Sequence, residues 1–425
     1  MSSLLSLSNR IACGVCVVGL LMVAATPAAA DEANWPRFRG PAGQGVSDTA
    51  FPTEWSDYGW QISLPGRGHS SPVVWGETVF LTAATADGSR HVLAVDAVSG
   101  AVRWQKTVTL PVSHLHSKNS LASGTPCCDA ARVYVPVASE TDSLLVAYSH
   151  TGEHAGEEVW RQPLGRYESQ HGPGSSPIVV GEVVLIASDQ IGPSAIHAFD
   201  AATGEPRWTS PRVSRRAAYS TPMLMPGRDD VLLCLSGAEG VTGLSRADGQ
   251  RLFASGALPL RVVASPVVAD GAVIATCGSG GRGKFLAAIE PHPPADPGGV
   301  WTTATRWQRR QLVPYVPTPL AYDGSLYFWN DGGVVCCVDP ATGADRWKVR
   351  VGGTYSASPI VAGGRLYNID ETGRVAVVDA DPTAAEPVVH RGGQLPDGSH
   401  ATPAVAGRRL FLRGFGSLSM LPAAE

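Results

Sequence analysis

The apolar positions of this chain come in short runs broken by Gly, Asp and Pro, and the same order of runs returns eight times. Each unit opens with a Ser-Pro or Thr-Pro pair: Ser71-Pro72, Thr125-Pro126, Ser176-Pro177, Thr221-Pro222, Ser265-Pro266, Thr318-Pro319, Ser358-Pro359 and Thr402-Pro403. Successive pairs lie 40 to 54 residues apart. The text after the pair is similar each time, as in PVVWGETVFL from Pro72, PIVVGEVVLI from Pro177 and PIVAGGRLYN from Pro359. A short apolar strand, a Gly or Asp turn and a second apolar strand predict a hairpin. A second hairpin follows in the better-preserved units: AVDAVSGAVRW ends at Trp104, AFDAATGEPRW at Trp208 and CVDPATGADRW at Trp347. Here a strand ends at Asp, Gly supplies a turn with positive φ, and Trp begins the next strand. Trp160 keeps this place after an insertion at 150–158, and Phe253 replaces it in the fourth unit.

Four strands at a period of 40–50 residues predict the blades of a propeller. The eighth unit has room for three strands, near 401–405, 408–413 and 417–421. Its fourth strand is expected from the N-terminal side, at Trp60-Gln61-Ile62-Ser63-Leu64. A ring closed this way has no open edge to pair with another chain. The expectation is an all-β, eight-bladed β-propeller closed by an N-terminal strand completing the last blade.

Composition agrees with this reading. There are 48 Gly and 33 Pro in 425 residues, roughly a fifth of the chain against about 12% in average usage. Only 16% of residues are charged and the net charge is −4, which argues against disorder and against nucleic-acid binding through a basic face. Residues 1–30 read as a cleaved signal peptide: Arg10, an apolar run from Ile11 to Ala25, then Ala28-Ala29-Ala30. This predicts a periplasmic or secreted product without stable membrane insertion. Residues 31–65 form an N-terminal segment with the closing strand, and 66–425 form the propeller. Six cysteines remain beyond the signal, none in a zinc-ligand spacing. Cys234 and Cys277, in comparable second strands of adjacent blades, are close enough in this scheme for a disulfide, with buried free thiols the other reading.

The A-x-D-x-x-T-G-x-x-x-W text at 198–208 and 337–347, with the eight Ser/Thr-Pro units, resembles the quinoprotein (PQQ-binding-like) propeller superfamily. Asn34-Trp35-Pro36-Arg37-Phe38-Arg39-Gly40-Pro41 is similar to the N-terminal text of exported members. The superfamily includes PQQ-dependent alcohol dehydrogenases and the propeller subunit of the bacterial outer-membrane assembly machine. In the dehydrogenases the quinone lies in the central funnel beside a metal ion, often against a pair of adjacent cysteines. The resemblance would place Cys127 and Cys128 against a quinone and Asp189 on a Ca2+ ion. The alternative for the cysteines is that they face opposite sides of a strand. The chain lacks segments resembling the family's metal-binding Asn context and its catalytic Trp-Asp text, and it is much shorter than those enzymes. The first reading is therefore a ligand- or protein-binding scaffold without redox activity or cofactor. The second is a PQQ- and Ca-dependent alcohol or sugar dehydrogenase.

Recognition side chains gather just before the Ser/Thr-Pro pairs, in loops that a propeller brings to one mouth of its channel. They are His69, His114, His116, Lys118, Asn119, His171, Arg215, Arg216, Tyr219, Tyr315, Tyr355 and His400. The second-to-third-strand loops add Asp189, Asn330, Asp331, Asp370 and Glu371. Arg, Tyr and His suit a small anionic or sugar-like ligand, or a loop of a protein partner. The plainer alternative is that these groups solvate the funnel. Gly278 to Lys284 matches G-x-x-x-x-G-K on paper, but Phe285 follows and no helix start does, so it reads as a loop at the ring face rather than a phosphate loop.

Overall fold

Each Ser/Thr-Pro pair opens a four-stranded antiparallel sheet whose strands run outward in sequence order. Blade 1 comprises Val73–Trp75, Thr78–Ala84, Ser89–Asp96 and Val102–Thr109. Blades 2 to 7 span 127–165, 178–212, 223–254, 267–309, 320–350 and 360–394. Blade 8 takes three strands from 404–422, and Trp60–Ser63 pairs with Ser417–Pro422 as its outermost strand. The protein is therefore an all-β, eight-bladed propeller closed from its N-terminal side. The computed structural model describes residues 34–112, 114–213, 216–280, 283–296 and 299–424. The expected signal peptide, 1–30, lies outside the described residues.

The Ser and Thr before each Pro have a structural task that the repeat text did not disclose. They alternate strictly around the ring, and the backbone N–H of one donates to the side-chain hydroxyl of the next. Ser71 donates to Thr125, Thr125 to Ser176, Thr221 to Ser265, Ser265 to Thr318, Thr318 to Ser358, Ser358 to Thr402 and Thr402 to Ser71. All seven links measure 2.9–3.1 Å. At seven of the eight junctions a blade is thus pinned to the next at the channel wall by a buried bond worth about 0.5–1.5 kcal/mol.

At the outer rim the pinning is aromatic. The indole N–H of Trp160 donates to the Ala201 carbonyl in the next blade's turn (3.0 Å), as Trp208 does to Arg246 (3.1 Å) and Trp347 to Asp381 (2.7 Å). Trp60 and Trp307, which the repeat text did not single out, do the same to Ala97 and Pro340. The rings of Trp60, Trp160, Trp208 and Trp307 lie over the glycine of that turn. Gly204 has φ +76°, and a Cβ there would stand 2.7 Å from Trp160; Gly249 has φ +72° and would stand 2.4 Å from Trp208. Glycine is required twice over, for its backbone conformation and for the close approach. Where Phe253 replaces Trp, the neighbour's own Trp301 fills the gap at 5.2 Å.

Apolar residues facing alternate sides of each strand fill separate cores between blades. Cys234 lies in the core between blades 3 and 4, and Cys277 in that between blades 4 and 5. Blade 4 itself separates them, so no disulfide joins them, and all six described cysteines are buried free thiols.

The N-terminal segment does more than close the ring. Trp35 pairs with Val74 of blade 1, the Pro36 carbonyl accepts from Cys128 of blade 2, and Arg37 donates to the Pro222 carbonyl of blade 4 (2.7 Å). Farther on, the Gly45 carbonyl accepts from Val361, and Val46–Ser47 adds a parallel fifth strand to blade 7. Contacts with blades 1, 2, 4 and 7 carry this segment across the channel. It is a plug.

Candidate functional site

Propeller geometry places the loops that precede the innermost strands at the channel end opposite the plug. There they enclose a cavity of about 990 Å3. Its wall holds all eight Ser/Thr hydroxyls of the ring, and Phe38 of the plug reaches it from the far side. Each hydroxyl oxygen named as an acceptor above still carries an O–H that can donate. The cavity is thus a blind funnel with hydroxyl donors around its neck.

Nine of the twelve candidates gathered before the Ser/Thr-Pro pairs line it: His69, His116, Lys118, Asn119, His171, Arg216, Tyr219, Tyr315 and His400, whereas exposed His114 does not. Tyr355 does not. It is fully buried, 5.2 Å from Trp329, so it packs behind the funnel wall. Arg215 lies outside the described residues.

The lining side chains hold one another across blades. His116 stacks on His171 at 4.7 Å, and Asn119 donates to the His171 carbonyl (2.6 Å). Arg261 Nη1 and His171 Nε2 stand 3.0 Å apart. Burial, Arg261 and His116 lower the His171 pKa to about 4. On the other side His69 packs 4.4 Å from His400. Burial and the nearby His400, Arg413 and Arg67 hold His69 well below the usual range. Burial also lowers His400, with Lys118 adding and Glu371 opposing. These three rings are therefore neutral at pH 7, and the cations of the funnel are lysine and arginine.

Lys118 pairs with Glu371 (2.7 Å), which also accepts from Ser356 (2.8 Å), so the loop between blades 1 and 2 reaches a loop of blade 7. Burial pushes the Glu371 carboxyl up, but these hydrogen bonds outweigh it and hold it below its ordinary value. Lys284 pairs with Asp331 (2.5 Å), whose carboxylate also accepts from the Tyr315 and Val316 amides. Asn330 and Asp370 bond their own turns. Arg261 differs from these. Its partners are a neutral imidazole and the Gln170 amide oxygen, and no described carboxylate lies within ion-pair distance.

Arg261 and Lys284 were not among the sequence candidates. Arg261 stands four residues before Ser265, within the two- to six-residue stretch where most of the other rim residues fall, but it sits in the apolar text LPLRVV. Lys284 was visible only as part of the apparent phosphate loop. That loop instead supplies Gly278, Ser279 and Gly280 to the funnel wall, with Gly278 flush against the Tyr315 ring.

The residues proposed for a quinone and its metal are not at the funnel. Cys127 faces the core between blades 2 and 3 and Cys128 that between blades 1 and 2, both fully buried. Adjacent strand residues point to opposite faces, so the pair cannot present one surface to a ligand. Asp189 is buried against Arg212 (2.8 Å) and fastens blade 3 internally. Burial raises its pKa while the Arg212 charge opposes.

The family model described as outer membrane protein assembly factor BamB matches residues 57–149, 141–291 and 294–423. The chain belongs to this family of PQQ-like β-propellers. Among solved structures, BamB from Moraxella catarrhalis is similar with a TM-score of 0.58 at 14% identity, covering 86% of this chain and 98% of that one. A europium-containing methanol dehydrogenase is similar with a TM-score of 0.51 at 12% identity, covering 91% and 90%. The computationally designed Ika8 protein gives 0.57 at 12%, covering 85% and 98%. At such identities the likeness is one of fold. No curated protein matches the sequence. Among the described residues no helix is long and apolar enough to cross a membrane.

Proposed function

We propose that this PQQ-like propeller is an exported, periplasmic or secreted binding scaffold that captures a small anionic ligand, acidic sugars included, in its blind funnel. The observation that carries this reading is Arg261, a cation on the funnel wall whose described partners are all neutral. Lys118, Lys284 and Arg216 stand on the same wall, and of the lining residues only Asp331 is acidic. A chain with net charge −4 has gathered cations where a ligand would enter. Tyr219, Tyr315 and the hydroxyl ring add donors suited to oxygen-rich ligands. An acidic loop of a protein partner meets the same chemistry, and the family's description as an assembly factor supports that variant of the reading.

The dehydrogenase alternative is not supported by these residues: Cys127, Cys128 and Asp189 do not meet at a common surface. Calorimetric titration with glucose, glucose 6-phosphate and citrate tests the proposal. Binding of the two anions, with none of glucose, is expected. Equal binding of all three, or of none, would overturn it.

A further inference from the structure

A second cationic region lies deeper, on the channel axis, and the funnel residues do not account for it. Val74, Cys128 and Val361, which hold the plug, each stand three residues beyond their Ser or Thr of the hydroxyl ring. At about 3.3 Å per strand residue, the plug main chain crosses about 10 Å below that ring. Arg37 reaches back up to the Pro222 carbonyl, one residue beneath Thr221. Arg39 stays within the plug, where Nη2 donates to the Gln44 carbonyl (3.2 Å). The Arg37 charge is close enough to act on Arg39.

Both guanidinium groups are buried, Arg37 at 6% and Arg39 at 1% exposure, and neither has a described carboxylate within ion-pair distance. Their main burden is desolvation, which lowers Arg37 to about 10 and Arg39 to about 9, still charged at pH 7. The Cys127 thiol lies nearby, but burial pushes it well above its ordinary value, so it offers no countercharge. Between Trp35 and Arg39, four side-chain polar atoms are buried without a hydrogen-bond partner: Trp35 Nε1, Arg37 Nε, Arg39 Nε and Arg39 Nη1. All four are donors. Water would equally serve donors and acceptors, whereas a set made only of donors around two buried positive charges matches an anion.

We propose that the plug holds a small inorganic anion, of halide to phosphate size, between Arg37 and Arg39 on the channel axis. The anion would neutralise the plug and fasten it beneath the hydroxyl ring. This site is separate from the funnel site and does not depend on Arg261.

Crystals of the full mature chain grown in bromide, with anomalous data, test it directly. An anomalous peak in hydrogen-bond contact with both guanidinium groups is expected, retained in Arg261→Ala and absent from Arg39→Met. Water alone between the two arginines, or bromide confined to the funnel wall, would overturn the proposal. Thermal unfolding of the wild-type chain gives a second reading should Arg39→Met not fold. Chloride, bromide and phosphate should raise Tm by several degrees in a saturable way over the bulky sulfonate MES at equal ionic strength, and by as much in Arg261→Ala. Identical Tm in all four salts would contradict the site.

Discussion

The outer turns of the blades and the funnel mouth are built from the same repeat but spend it differently. At the outer turns the solution is copied from blade to blade. Asp96, Asp200 and Asp339 each accept two amides of their own turn, and each pairs with the Arg seven residues on. The neighbouring Trp then seals the turn glycine. At the mouth nothing repeats: the loop before blade 2 stacks a histidine on one from the next loop and ties a lysine to a distant glutamate, and the loop before blade 5 offers an arginine without an acid. Copied positions carry the assembly of the ring, and positions that differ from blade to blade are where a ligand can be recognised.

Substitutions that cross this division test it. Trp160→Ala, at a copied position, removes a buried indole and its bond to blade 3. It should cost about 3–5 kcal/mol in denaturant unfolding and leave funnel binding unchanged in whatever remains folded. Asp189→Asn removes the nearer of the two carboxylates that face buried Arg212, leaving Glu239 at 3.4 Å, and should cost about 1–3 kcal/mol, again with binding intact. Lost binding at unchanged stability would return Asp189 to the site. A smaller effect comes from pH. His69, His171 and His400 titrate near 6.5 in the unfolded chain but lower when folded, so the folded state takes up fewer protons in that interval. Stability should therefore fall as pH drops below about 6.5, continuing to about 4 for His171. His69→Gln should flatten this slope in urea titrations at successive pH values; an unchanged slope would mean that His69 is solvated.

The sequence made the ring legible because its signals are local and repeated: a Pro that opens a strand, a Gly that turns, a Trp at a fixed offset. It also located most of the funnel wall, since His69, Tyr219 and His400 each stand two residues before their Ser/Thr-Pro pairs and His171 falls in the same loop stretch. It concealed what depends on contact across the ring. Nothing in the local text shows that the Ser71 hydroxyl accepts from Thr402, 331 residues away. Nor does it show that Arg37 crosses the channel to Pro222, or that Asp189 is spent on Arg212 rather than on a ligand. Tyr355 shared the rim position but faces inward to Trp329, because position along the loop does not fix the direction of the side chain.

The most direct test of this division is one paired measurement on Arg261→Ala: glucose 6-phosphate affinity by calorimetry and unfolding midpoint in urea. Arg261 is set by a backbone bridge to Gly278 that alanine preserves, and its guanidinium has only neutral described partners. The account predicts affinity weakened about tenfold or more, as expected for a lost charge-assisted hydrogen bond, with stability changed by less than about 1 kcal/mol. Unchanged affinity with a large loss of stability would contradict it, because Arg261 would then belong to the scaffold and not to the site.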